Sequence, residues 1–444
     1  MTDRLETLTA RLLDAARHAG ATEADAIAID QSAVGVDIRG GALEQAERAE
    51  SVEVGLRVLI GGRQACVSVS DLSDTSFAMA AERAVAMARE APEDPYVGLA
   101  DPAQVVRDWA DLDLADPAPE PSAADLEGDA RAVEAAALIR GITQVEASAS
   151  YSRRSAWLAA TNGFSGGYGR TSRSMSAVAF TGSGTGMERD WAGESRIFQA
   201  DLPGADVVGA LAAERALART GARKPKSGAF PVLFDERIAS SLIGHLLQAV
   251  NGATVARGGG WLRDRLGQPV LPKGLSVIED QARPRAGSSR PFDAEGLASR
   301  RRAIVEDGVL TGWTLDLANA RKLGMDSTAS AARGVMAPPS PATSNIDLSQ
   351  GTATRADLIA QMGTGLLVTS LIGSSINGTT GDYSRGASGF WVEKGEIAFP
   401  VNELTIAGNL RDMLMSLTPA NDARAHLSTR VPSLLVEGLT LAGA

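Results

Sequence analysis

The sequence predicts an α+β protein: an N-terminal α/β domain, a middle helix-plus-meander segment, and a strand-rich C-terminal domain with short helices. Three observations predict it. Helical and strand-like patterns follow one another in blocks, without the regular alternation of a doubly wound sheet. The chain of 444 residues holds 47 glycines, several of them in dipeptides that mark hairpin turns. Residues 228–444 read mostly as strands interrupted by short helices.

Residues 5–19 place Leu5, Leu8, Leu12 and Leu13 on one helical face, and Gly20 stops the pattern. Strand-like segments follow at 25–39 and 51–70, the second folding back at Gly61-Gly62. Asp71 or Ser73 caps a helix that runs to about Glu90, where Pro92 and Pro95 end it. Residues 115–122 (ADPAPEPS) alternate proline and read as an extended linker. Ser122 with Asp125 opens a helix that Gly141 closes, and a meander fills 143–200 with a type I′ signal at Asn162-Gly163. A helix at 205–220 leads to a basic joint, residues 221–228. Farther on, Asp307-Gly308 and Lys394-Gly395 close hairpins, and short helices are expected near 236–250, 315–323, 354–362 and 410–417. Thr354 with Asp357, and Asn409, supply cap chemistry for two of these. The expected domains are 1–114, 122–222 and 228–444.

Composition narrows the function. A net charge of −11 offers no basic surplus, so nucleic acid is not expected as a partner. The apolar stretch 358–376 is broken by Gly, Thr and Ser, so no membrane span is expected. The first twenty residues mix acids with arginines, unlike an export signal, and the single cysteine suits a reducing compartment. A cytoplasmic location is the expectation.

Candidate chemistry is sparse. A zinc hydrolase needs about three protein ligands and an open position, whereas His18, His245 and His426 are scattered and Cys66 sits in a strand pattern. His18 suits a helix C-terminus and His426 a surface loop. His245 lies within 239–252 (ASSLIGHLLQAVNG), with apolar neighbours and no glutamate beside it. Residues 163–167 (GFSGG) match G-x-S-x-G around Ser165, but a strand pattern follows where a nucleophile elbow needs a helix. The arginine-rich run holding Arg283, Arg285, Arg290, Arg300, Arg301 and Arg302 also contains Glu279, Asp280, Asp293 and Glu295. It reads as a salt-bridged loop, or as a contact for an acidic partner surface or a peptide carboxylate. Residues 381–386 (GDYSRG) read as a glycine-flanked turn, and Asp382, Tyr383, Ser384 and Arg385 are the candidate partner- or peptide-binding residues.

Four runs carry a resemblance: residues 262–280 (LRDRLGQPVLPKGLSVIED), 372–390 (IGSSINGTTGDYSRGASGF), 391–412 (WVEKGEIAFPVNELTIAGNLRD) and, more weakly, 55–73 (GLRVLIGGRQACVSVSDLS). They resemble the PmbA/TldE branch of the TldD/PmbA family. The resemblance implies a cytoplasmic metallopeptidase of two homologous chains acting on unfolded peptides. Its TldD-type chain carries an H-E-x-x-x-H helix and a cysteine ligand. Here the corresponding stretch, 239–252, has one histidine and no glutamate, and no cysteine follows it. The resemblance therefore implies no catalytic or metal residue in this chain, with zinc expected in a TldD-type partner chain. A homodimer in isolation is expected when that partner is absent. The alternative is a stand-alone peptide-binding or regulatory protein that keeps the fold without protease activity.

Overall fold

A computed structural model describes residues 2–443. Helix α1 (Thr2–His18) buries Leu5, Leu8, Leu12 and Leu13, and Gly20 leaves it at φ +94°. Strands β1 (Glu23–Arg39), β2 (Ala42–Ile60) and β3 (Arg63–Val69) form an antiparallel meander, followed by α2 (Asp74–Glu90), capped by Ser73. Helix α3 (Ala123–Ala137) opens on the Ser122/Asp125 capping box. Strands β4 (Ile142–Ala160), β5 (Ser165–Thr181) and β6 (Glu188–Arg196) and helix α4 (Ala205–Ala218) complete this half.

The strand order is β3-β2-β1-β4-β5-β6. Since β1 pairs with both β2 and β4, one continuous sheet runs through the first two segments of the chain. Side chains alternate across it with the period of two that a pleated strand imposes. Ala24, Ala26, Ala28, Val34, Val36 and Ile38 face the helices, while Ile27 and Ile29 face the C-terminal half.

Two local expectations are corrected. Strand β2 begins at Ala42, well before residue 51. Residues 42–50 (ALEQAERAE) are exposed and mostly polar, so no hydrophobic alternation marks them. They are held instead by the ladder to β1 and by α3, where Gly41 N–H donates to Glu134 at 2.9 Å. Nor is Asn162-Gly163 a type I′ turn, which needs positive φ at both residues. Only Gly163 has it, and the Asn162 side chain is committed to the Ala100 carbonyl. At Asp307-Gly308 and Lys394-Gly395 both residues are left-handed, as the hairpin signal required.

The C-terminal half contains β7 (Gly228–Phe234), α5 (Glu236–Ala249), α6 (Gly252–Ala256), β8 (Val277–Asp280), β9 (Arg301–Glu306), β10 (Val309–Leu310) and α7 (Leu317–Leu323). Then come β11 (Ala331–Ala332), β12 (Ser340–Pro341), β13 (Ile346–Leu348), α8 (Arg355–Met362), β14 (Gly365–Ile376), β15 (Asp382–Glu393) and β16 (Glu396–Asn409). The remaining elements are α9 (Leu410–Met415), β17 (Thr418–Pro419), β18 (Thr429–Arg430) and β19 (Leu434–Ala442). Strands pair in the order β16-β15-β14-β7-β19, and β16 also pairs with β19, which closes a five-stranded barrel. Closure removes the free edges of those strands. A smaller sheet, β10-β9-β8-β13-β18, lies beside it. The apolar face of α5 (Leu242, Ile243, Leu246) packs into the core shared by both sheets.

Candidate functional site

The stretch expected to correspond to the family's metal helix, residues 239–252, lies largely in α5. Asp235 caps α5 by accepting from the Arg237 N–H at 3.2 Å. Of the described ring contacts, one joins this helix to the barrel: His245 meets Tyr383 of β15 edge to face, centroids 5.9 Å apart.

Residues 381–386 were expected to form a turn, and this is corrected. Asp382 already begins β15, paired with β14 and β16, because Tyr383 finds a buried place that a local pattern does not reveal. The strand's period then separates the four candidates. Tyr383 and Arg385 share one face, while Asp382 and Ser384 take the other. Asp382 is exposed; it accepts from the Thr380 hydroxyl at 2.6 Å and from Asn409 at 3.0 Å, and these bonds hold its carboxyl below the usual range. Asp382 and Arg385 therefore do not pair with each other. Ser384 is half-buried opposite Ser375.

Tyr383 is almost fully buried, and burial pushes its phenol up to about 12, against the opposing charge of Arg385. Burial, then the same charge, pulls the His245 imidazole below its ordinary value, so it stays neutral near pH 7. Neither the Tyr383 hydroxyl nor His245 Nε2 has a hydrogen-bond partner among the described residues. Arg385 approaches the hydroxyl without acceptable hydrogen-bond geometry and instead donates from Nε to the Gly373 carbonyl at 2.7 Å. Each unmatched buried polar atom costs about 1–3 kcal/mol. That cost marks the cluster as the candidate site.

This donor set does not fit a zinc ion. It offers one imidazole, no carboxylate or thiolate beside it, and a guanidinium that opposes a second cation. The other sequence candidates lie elsewhere. His18 is exposed at the end of α1, with Nδ1 2.8 Å from the Asp14 carbonyl. His426 sits 3.2 Å from Glu194. Cys66 is half-buried in β3, where burial raises its thiol. Ser165 begins β5 and accepts from the Trp157 indole at 3.0 Å, with no helix following.

The arginine-rich run is largely internal scaffolding. Arg283 pairs with Asp347 at 2.7 Å, Arg285 with Asp113 and Arg302 with Glu279 at 2.8 Å. Arg290 is spent on the Ala331 and Ala342 carbonyls. Cavities open nearby, between the halves of the molecule. One of about 240 Å³ is lined by Trp157, Tyr168 and Phe292, and one of about 490 Å³ by Arg196, Arg285 and His426.

Sequence reasoning missed the meeting of His245 with Tyr383. No local signal marks it, because it arises from the packing of α5 against a strand far along the chain.

This fold, one sheet spanning the first two segments joined to a closed barrel, is that of the PmbA/TldA metallopeptidase domains. Residues 24–88 match domain 1 of that description, 116–220 the central domain and 227–443 the C-terminal domain. The chain belongs to the PmbA/TldD family. It is 36% identical to Metalloprotease PmbA of Escherichia coli O157:H7, over 92% of this chain and 90% of that one. A Metalloprotease PmbA homolog of Haemophilus influenzae is 33% identical over 97% of this chain and 94% of its own. Among solved structures, a Bacteroides thetaiotaomicron protein designated a modulator of DNA gyrase superposes with a TM-score of 0.92 at 28% identity, covering 100% of this chain and 99% of that one. TldE of Thermococcus kodakarensis shares the fold, with a TM-score of 0.85 at 17% identity over 98% of this chain and 100% of that one.

Proposed function

We propose that this chain is the non-catalytic, TldE/PmbA-type subunit of a heteromeric cytoplasmic metallopeptidase that cleaves unfolded peptides. The metal, expected to be zinc, and the catalytic glutamate come from a TldD-type partner chain. The observation that supports this reading is the chemistry at α5. Where a metallopeptidase needs a ligand cluster and a general base, this helix presents one neutral histidine against a tyrosine and an arginine. The role left to the chain is to help form the substrate channel. The small sheet beside the barrel suits that role, because extended peptides bind by adding to sheet edges and this open sheet ends at β10 and β18.

The test is co-expression with a TldD-type chain, followed by peptidase assays on each chain and on the mixture. Cleavage by the mixture, with this chain inactive alone, is the expected result. A purified, metal-loaded preparation of this chain that cleaves peptides unaided would overturn it. Failure to associate with any TldD-type chain would favour a stand-alone peptide-binding role.

A further inference from the structure

His245, Tyr383 and Arg385 form a cluster that lacks one component. Arg385 makes no ion pair among the described residues, and its described hydrogen bond is to the neutral Gly373 carbonyl. Beside it lie two buried polar atoms without a hydrogen-bond partner among the described residues, the Tyr383 hydroxyl, which Arg385 approaches, and His245 Nε2. The nearest acid in sequence, Asp382, faces away and is already satisfied by Thr380 and Asn409. The cluster thus brings together one cation and two unmatched polar groups, and no anion among the described residues pairs with them.

We infer that this cluster is a binding site for a carboxylate, supplied by the C-terminus of a bound peptide. A carboxylate offers about four lone-pair positions, enough for a guanidinium fork, a phenol O–H and an imidazole N–H together. An amine or a metal ion would meet the guanidinium charge instead. His245 and Arg385 are half-buried, but His245 Nε2 and the Tyr383 hydroxyl are closed to solvent, so a carboxylate enters from the Arg385 side as that side chain leaves the Gly373 carbonyl. The β14–β15 ladder is irregular between Ile372 and Ser375, with Gly373 at φ +67°, so the carbonyl that now occupies Arg385 lies at a break in the pairing. The peptide as the source of the carboxylate rests on the proposed function; the carboxylate site itself does not.

The experiment uses the isolated full chain. With three histidines in the sequence, the His245 imidazole resonance can be assigned through His245→Gln and followed by NMR. Three probes are titrated: N-acetyl-trialanine, its C-terminal amide, and an amidated tripeptide with a central aspartate. The free acid is expected to move the resonance saturably and to raise the apparent His245 pKa, since a bound carboxylate favours imidazolium. The amide should bind at least about tenfold more weakly, the loss expected when a charge-assisted contact is removed. Arg385→Gln should abolish the shift. Tyr383→Phe should weaken binding several-fold while leaving the thermal midpoint unchanged or higher, because it deletes an unmatched hydroxyl. That last variant separates a ligand contact from a packing role even if Arg385→Gln fails to fold.

Equal binding of acid and amide overturns the inference, as does unaltered affinity in Tyr383→Phe. If the aspartate-bearing amide binds like the free acid, the carboxylate stands and its assignment to the terminus falls. Because no peptidase is present, the outcome is independent of the co-expression assay.

Discussion

The two halves of the molecule meet along two seams that use the same chemistry at different depths. On the open face of the large sheet, Asp25 accepts from Arg57 Nε at 2.7 Å and also pairs with Arg333, which reaches across from the C-terminal half. These side chains are 4%, 5% and 0% exposed. Beside them Phe292 packs against Trp109, Phe164 and Tyr168 with centroids 4.8, 4.9 and 5.5 Å apart. Gly55 lets the Val335 segment pass, since a Cβ there would lie 2.1 Å from the Val335 carbonyl oxygen. Along the outer strand β6, by contrast, Glu194 meets Arg424 and His426, which are 30% and 26% exposed. Both seams are ionic; the first is dry, whereas β6 is dry where Asp190 meets Arg237, with side chains 5% and 8% exposed, and is wetter at Glu194. Burial, more than the number of charges, decides how much each depends on its partners. Breaking a buried pair strands an ion that water cannot reach, whereas an exposed pair is replaced by solvent.

The largest expected effect is therefore at Asp25. Asp25→Ala leaves both Arg57 and Arg333 without their carboxylate, and burial already pulls Arg333 down to about 10. A loss of about 3–5 kcal/mol, read from a urea midpoint, is the expected outcome. A loss under about 1 kcal/mol, the range of a surface pair, would break the comparison.

Glu295 sharpens it with pH. This carboxyl accepts from the Leu317 N–H at 2.8 Å on the buried seam, and burial, then the neighbouring Asp293, pushes it up to about 8. Its folded pKa exceeds its unfolded value of about 4.3, so between those values the folded chain holds a proton that the unfolded chain has lost. Its contribution must then decline as pH rises from about 5 to about 8. Glu295→Gln should flatten that part of the stability profile, measured as urea midpoints across the range. An unchanged slope would show that the carboxyl is not buried in its protonated form.

The smallest effect belongs to the Glu194 end of β6. Arg424 bridges Glu236 at 2.8 Å and Glu194 at 3.3 Å near solvent. Arg424→Gln should cost about 0.5 kcal/mol or less, and the difference should vanish in 1 M salt, where the screening length is about 3 Å. A larger, salt-independent loss would make this seam equivalent to the first.

Much of the local structure was legible in the sequence. The Ser122/Asp125 and Thr354/Asp357 capping boxes and the left-handed pairs Asp307-Gly308 and Lys394-Gly395 are decided by neighbouring residues, and they appear where their chemistry placed them. What escaped was decided at a distance. The exposed start of β2 is held by β1 and carries no alternation of its own. Tyr383 looked like a turn residue because its burial depends on α5 and β16. The site followed the same division. The identities of Tyr383 and Arg385 were readable, and so was the lack of a glutamate beside His245. Their convergence was not, nor was the separation of Asp382 and Ser384 onto the opposite face.

The closed barrel also sets a timetable for biosynthesis. Strand β7 lies between β14 and β19, and both partners follow it far down the chain. At about 5–20 residues per second, β7 waits on the order of ten seconds for β19. Until β14 emerges, Phe230, Val232 and Phe234 present an apolar strand with two open edges to the cell, and one edge stays open until β19 follows. A message truncated before residue 434 would leave β7 and β16 permanently unsealed against each other's missing neighbour. Such a product would be a substrate for chaperones and quality-control proteases, however well its N-terminal sheet had folded.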